Sequence, residues 1–239
     1  MKTGIYGRLA WSGIRKNKQL YIPYIITCIV MICMSYIVSF ISESESVRSM
    51  HGGDSVCMTL GFGVNVILIF SVIFLFYTNS FLMRRRKKEF GLYNILGMNK
   101  RNICNILLCE MVIYSIISFV FGIIFGITLS KLAELILVNV INGSVSFEFV
   151  IAWGIICKTA VKYAVIFFVI FICNVIRIRF VNPIELLHSE NVGEKPPKAN
   201  WFVGALGLVV LVAAYAIAVT IEDPIAAMLW FFIAVVMVI

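Results

Sequence analysis

Apolar residues in this chain fall into long runs separated by short polar stretches. The runs cover roughly Leu20–Ile41, Val56–Met83, Ile103–Ser130, Phe149–Ile176 and Trp201–Ile221, and a sixth reaches from Pro224 to Ile239. A membrane-crossing helix needs about 20 mostly apolar residues, so the first five read as spans. The second, third and fourth are each roughly 28 residues, about 42 Å of helix against a hydrocarbon core of about 30 Å. Such helices must tilt or project into water. Pro23 falls in the opening turn of the first span, where proline is tolerated. The stretch Ser42–Ser55 is a short polar connection, too short for a domain. Between the third and fourth runs, Leu132, Leu135, Ile136 and Val140 predict a short surface helix, followed by a turn at Asn142-Gly143. The last run is about sixteen residues and lacks a basic stop, as expected for the N-terminal portion of a longer chain.

Composition agrees. Hydrophobic residues make up 62% and charged residues 13%, where a soluble domain has about half and about a quarter. The fold class expected is an all-α integral membrane protein of about six transmembrane helices, with short amphipathic helices on its surfaces. Of the twenty Lys and Arg residues, sixteen lie in the segments that face inside when the N-terminus is cytoplasmic. Arg48 and Lys131 lie in outer segments, and Lys158 and Lys162 within the fourth run. That bias sets the orientation. The net charge of +8 is therefore accounted for by topology and anionic lipid, not by nucleic acid. Residues 1–19 hold Lys2, Arg8, Arg15, Lys16 and Lys18 and no acid; with Ile5, Leu9 and Trp11 they predict a short helix at the inner membrane interface.

The inner loop Arg84–Arg101 reads RRRKKEFGLYNILGMNKR. Its charges alone would only fix topology. After them come Phe90, Leu92, Tyr93, Ile95 and Leu96, an apolar cluster in a water-facing loop. Helical spacing puts Leu92 and Leu96 on one face, with Phe90 and Tyr93 close by. Gly97 is a good helix stop, and Asn99 is placed to cap the next helix. A short amphipathic helix between two spans follows. Its apolar ridge, ringed by Lys88, Glu89 and their neighbours, suits either the groove of a soluble partner or the lipid interface. A second inner-surface helix is expected at Asn182-Pro183-Ile184-Glu185-Leu186-Leu187, with Asn182 as N-cap, Pro183 at N1 and Glu185 at N3.

Intramembrane charge is costly and points to function by default. Lys158 and Lys162, four apart, share a helix face that could hold an anionic head group or phosphate. Alternatively, one lysine snorkels and the other pairs with Glu110, the one carboxylate inside a span. Gly122 and Gly126 form a GxxxG that permits close helix packing. Asn65, Asn79, Asn105 and Asn174 are candidates for bonds between spans. The seven cysteines read as small buried hydrophobes. His51 and His188 lie in different compartments and cannot share a metal. Neither a phosphate-binding Gly loop, nor HExxH, nor a Ser/His/Asp set is present, so no catalytic residues, cofactor or metal are expected on this chain.

The block KKEFGLYNILGMNKRNI resembles the signature of FtsX-like ABC permease domains of the MacB/FtsX superfamily. The likeness spans about Phe62–Leu187 and includes the Asn182-Pro183-Ile184-Glu185-Leu186-Leu187 segment, similar to the family's closing motif. It implies that Lys88–Leu96 is a coupling helix seated on a cytoplasmic ATP-binding subunit, with ATP and Mg on that subunit. Branches of the superfamily with a large outer domain between the first two spans do not fit a gap of about fifteen residues. Ile14-Arg15-Lys16-Asn17-Lys18-Gln19-Leu20-Tyr21 is instead similar to the start of BceB-type permeases of bacitracin and lantibiotic resistance. Those have ten spans, an outer domain after the seventh and a second FtsX-like unit. The resemblance implies a bacterial cell membrane location and, as further partners, a sensor histidine kinase, membrane lipids and a peptide antibiotic or its lipid-bound complex. The expected organisation is an interfacial helix at 1–19, a four-span unit at 20–189, a linker at 190–200 and two further spans at 201–239. Two other function classes stand beside this one: a signalling or scaffold module with no ATPase partner, and an intramembrane enzyme using Lys158 and Lys162.

Overall fold

The computed structural model describes residues 3–49, 52–95, 97–140, 152–180 and 201–220. Eight helices account for nearly all of them: α1 (Thr3–Lys16), α2 (Lys18–Ser42), α3 (Glu45–Arg48), α4 (Gly53–Arg85), α5 (Lys87–Ile95), α6 (Lys100–Val140), α7 (Trp153–Phe180) and α8 (Trp201–Thr220). No strand occurs among the described residues. Among the described residues, four helices are long and apolar enough to cross a membrane, α2, α4, α6 and α7. They match the first four expected spans, and α8 occupies the fifth. The sixth run, the 190–200 linker and the Asn182–Leu187 segment lie outside the described residues.

α2 is the centre of the bundle and meets α1, α4, α6 and α7. Its buried face repeats every three or four residues through Tyr21, Tyr24, Cys28, Ile32, Ser35, Tyr36 and Ser39. This is the periodicity that keeps one stripe of a helix against its neighbours. The Gly122/Gly126 pair of α6 lies against that stripe. A Cβ added at Gly122 would come within 2.8 Å of Ile32 Cβ, and one at Gly126 within 3.0 Å of the Tyr36 ring. The two backbones approach as closely as they do because neither position carries a side chain.

Polar side chains tie the spans at two levels. The Tyr163 hydroxyl donates to the Met31 carbonyl at 2.6 Å and lies 2.8 Å from Ser71 Oγ, joining α7, α2 and α4. Nearer the inner end, Asn79 and Asn174 exchange amide bonds of 2.9 and 3.2 Å between α4 and α7. Asn65, by contrast, turns back on its own helix to the Gly61 carbonyl, and Asn105 is exposed. None of the seven cysteines is in a disulfide; Cys28, Cys33 and Cys57 are buried as expected, whereas Cys157 is exposed and Cys104, Cys109 and Cys173 are partly exposed at the bundle surface.

The outer side corrects one expectation. The surface helix foreseen after Ser130 is a continuation of the third span, and α6 runs unbroken for 41 residues. The physical reason is local. The segment Ser130–Val140 contains no Gly or Pro, is rich in good helix formers, and finds partners. Buried Glu134 accepts bonds from Ser44 Oγ at 2.6 Å and Lys131 Nζ at 2.9 Å, and Val138 joins the core cluster that contains Val47. Within the Ser42–Ser55 connection, α3 packs against α4. A Cβ at Gly53 would lie 1.9 Å from the Val47 carbonyl oxygen, so only glycine fits there.

Candidate functional site

The corner between α4 and α5 is one residue, Arg86. Its N–H donates to the Leu82 carbonyl and its carbonyl accepts from the Phe90 N–H, each at 3.2 Å, so it ends one helix and starts the next. Sitting in a run of five cations, it would be expected to face water. Instead its side chain turns into the bundle and the residue is 1% exposed. Nη2 donates to Glu110 Oε1 at 2.9 Å, and Nη1 bonds both Glu110 Oε2 and the Tyr21 hydroxyl. Nε meets Glu89 Oε2 at 3.1 Å. The Tyr21 hydroxyl donates to Glu110 Oε2 at 2.8 Å. The guanidinium also lies over the rings of Phe90 and Tyr21, with centroids at 4.9 and 5.3 Å. Burial works against the guanidinium charge, but Tyr21 and Glu110 more than offset it, and its pKa stands above the ordinary arginine value.

α1 closes this knot from the side. Asn17 Nδ2 donates to Glu89 Oε1 at 2.7 Å. Gly13 packs so tightly that a Cβ there would come 2.9 Å from Glu110 Oε1. Beneath lies a cavity of about 10 Å³, room for a single water, bordered by Asn79, Asn174, Arg86 and Glu110. Five elements thus converge on one ion pair: α1, α2, the α4–α5 corner, α5 and α6. The chemistry is that of a bidentate clamp. Arginine does not give up its proton at accessible pH, and the knot presents neither a nucleophile nor a proton relay. What it can do is hold α5 rigidly to the spans. Among the described residues, no group of three His, Cys, Asp or Glu could hold a metal.

The placement of the expected site residues follows. α5 forms as foreseen, and Gly97 takes φ +86° to stop it. The Met98 N–H reaches back to the Tyr93 carbonyl at 2.9 Å, the C-terminal closure that a left-handed glycine allows. Asn99 caps α6 through its carbonyl. The apolar ridge, however, divides. Phe90, 4% exposed, packs inward on Met83, Ile103 and Leu107, with Tyr93, Met98 and Ile178 alongside. Glu89 also points into the knot. Leu92, 52% exposed, faces outward. Phe90, Tyr93 and Glu89 therefore anchor α5 and are not its outer contact surface. Lys88 lies in α5; Leu96, Asn182, Pro183 and Glu185 lie outside the described residues.

The intramembrane charges also separate. Glu110 is taken by Arg86 and Tyr21 at the inner end, not by a lysine of the fourth span. Lys158 Nζ bonds Glu43 Oε1 at 2.7 Å at the outer end, where both side chains are about half exposed. Lys162 is half-buried one turn further in. An exposed ion pair contributes at most about 1 kcal/mol, so Lys158→Ala will leave thermal unfolding of the purified protein within about 1 kcal/mol of wild type. A larger loss would mean that the lysine has a buried role.

A family model described as FtsX-like permease C-terminal matches residues 61–183. Across 214 residues the chain is 27% identical to an ABC transporter permease of Bacillus subtilis, YvcS, whose name marks it as uncharacterized; the match covers 89% of this chain and 33% of YvcS. It is 23% identical over 212 residues to the bacitracin export permease protein BceB of B. subtilis, covering 87% of this chain and 33% of that one. A BceB from Halalkalibacterium halodurans is 21% identical with the same coverage. The chain thus spans about a third of the length of the curated relatives it matches.

Proposed function

Since this chain belongs to the FtsX-like permease family, we propose that it works as a transmembrane subunit of an ABC transporter acting against peptide antibiotics of the bacitracin type. In this reading ATP is bound and hydrolysed by a separate cytoplasmic subunit, and α5 is the element that subunit grips. The observation that carries the reading is the division of α5. Its inner face is locked to the bundle through Arg86, Glu89 and Phe90, while Leu92 stays exposed on the outside among the described residues. A helix so fixed moves as one body with α2, α4 and α6. Movement of the ATPase would therefore be passed to the spans and not absorbed in a loose loop. The peptide substrate is supported by the named activity of the BceB relatives. A sensor histidine kinase would be a further partner of the same assembly.

Leu92→Asp tests this. A charge at the centre of an apolar contact should lower co-purification with the co-expressed ATP-binding subunit by at least about tenfold. Because Leu92 is exposed, the thermal midpoint of the permease should stay unchanged. Retained binding with a normal fold would show that the ATPase does not grip this face. Phe90→Asp serves as the contrast, since it should unfold the inner end itself.

A further inference from the structure

α1 has two faces of different character. Tyr6, Ala10, Gly13 and Ile14 look into the bundle. The Tyr6 hydroxyl donates to Asn102 Oδ1 at 3.0 Å, Ala10 is fully buried, Gly13 lies on Glu110, and Ile14 packs on the core. The opposite face carries Arg8, Trp11 and Arg15 in a stripe, with Leu9, Lys16 and the nearby Lys18 beside it, all exposed. Trp11 is 55% exposed. Residues 1–42 contain no acid, and none of these four cations makes an ion pair among the described residues. The height of the stripe is set by α6. α1 runs beside Asn102 to Glu110, the level at which the third span enters the membrane.

We propose that this face of α1 is a docking surface for anionic phospholipid of the cytoplasmic leaflet. Tryptophan between cations suits the head-group layer, where the ring sits in the apolar margin and the guanidinium groups reach phosphates. Each basic residue adds attraction to an anionic leaflet. The occupant is a lipid because the stripe lies alongside a span at the membrane surface and combines an apolar anchor with uncompensated positive charge. The same helix covers the Arg86–Glu110 knot at Gly13, so lipid charge would press α1 onto the joint that fixes α5. The proposal holds whether or not Leu92 contacts an ATPase.

The test uses the protein in bilayers with Trp153→Phe, Trp201→Phe and Trp230→Phe, leaving Trp11 as the fluorophore. At equal mole fraction, brominated phosphatidylglycerol should quench Trp11 at least about twofold more than brominated phosphatidylcholine. Raised salt, or Arg8→Gln with Arg15→Gln, should erase the difference. A second measurement avoids the tryptophan replacements. Native mass spectrometry of the otherwise unaltered protein should show fewer retained phosphatidylglycerol molecules for the double Gln variant than for wild type. Equal quenching by the two lipids, absence of quenching by either, or unchanged lipid retention would overturn the proposal; absence of quenching would turn attention to a soluble partner on this face.

Discussion

Arg86→Met will destabilise the protein by about 3–5 kcal/mol, and Arg86→Met combined with Glu110→Met will recover most of that loss. The single variant leaves the Glu110 carboxylate buried beneath Gly13, with only the Tyr21 hydroxyl to serve it. An uncompensated buried charge is the costly species, whereas an ion pair replaced by apolar side chains of similar volume is often neutral. Unfolding of the detergent-solubilised protein, followed by thermal or denaturant titration, measures both. The double variant should then separate stability from coupling. If the knot serves to fix α5, the doubly replaced protein will fold but respond less to the ATP-binding subunit proposed above. A single variant as stable as wild type would mean that the pair does not carry the inner end.

The second large effect concerns the α2–α6 seam. Gly122→Leu should cost about 3 kcal/mol or more, because overpacking a tight interface commonly costs 1–3 and here the contact is backbone as well as side chain. The added Cβ meets Ile32 Cβ and Cγ2 at 2.8 Å and the Ile29 carbonyl oxygen at 3.2 Å. Gly126→Leu should cost somewhat less, since its neighbour is the Tyr36 ring, whose nearest atom is at 3.0 Å. Gly61 and Gly154 have open space at the Cβ position, so Gly61→Ala and Gly154→Ala should be neutral or slightly stabilising. Thermal midpoints of the four variants give the order directly. If Gly122→Leu ranked with Gly61→Ala, the helices would not be packed at this seam.

Much of the architecture is legible in the sequence because lipid imposes a simple rule. Backbone polar groups must be satisfied within each segment, so long apolar runs become helices and their lengths can be counted. Gly97 marks the corner correctly for an equally local reason, the left-handed backbone geometry that glycine favours, and Asn99 stands where its carbonyl opens α6. Arg86 could not be picked out in the same way. It lies among Arg84, Arg85, Lys87 and Lys88, and what distinguishes it is which way a single side chain turns at the end of α4. Its partners come from positions 21, 89 and 110, brought together only by packing. One clue was present: Glu110, a carboxylate in a span, needs a cation at its own depth, and the inner end is where arginines are dense. The inward turn of Phe90 and Tyr93 was hidden for a related reason. A helix of nine residues has apolar positions on more than one side, and spacing cannot tell which side meets the bundle. The outer extension of α6 was misjudged because the charged residues Lys131 and Glu134 look like a boundary. They satisfy each other and Ser44, and the helix passes through.

That unbroken α6 has a geometric consequence. At 41 residues it is about 60 Å long, roughly twice the hydrocarbon thickness. Its inner tip adjoins the corner that follows α5, and its outer part lies beside Ser44 and Val47. A stiff lever of that length amplifies: a swing of about 5° pivoting near Glu110 carries the far tip by several ångströms. A small tilt of α6 at its inner end would therefore reach its outer end enlarged.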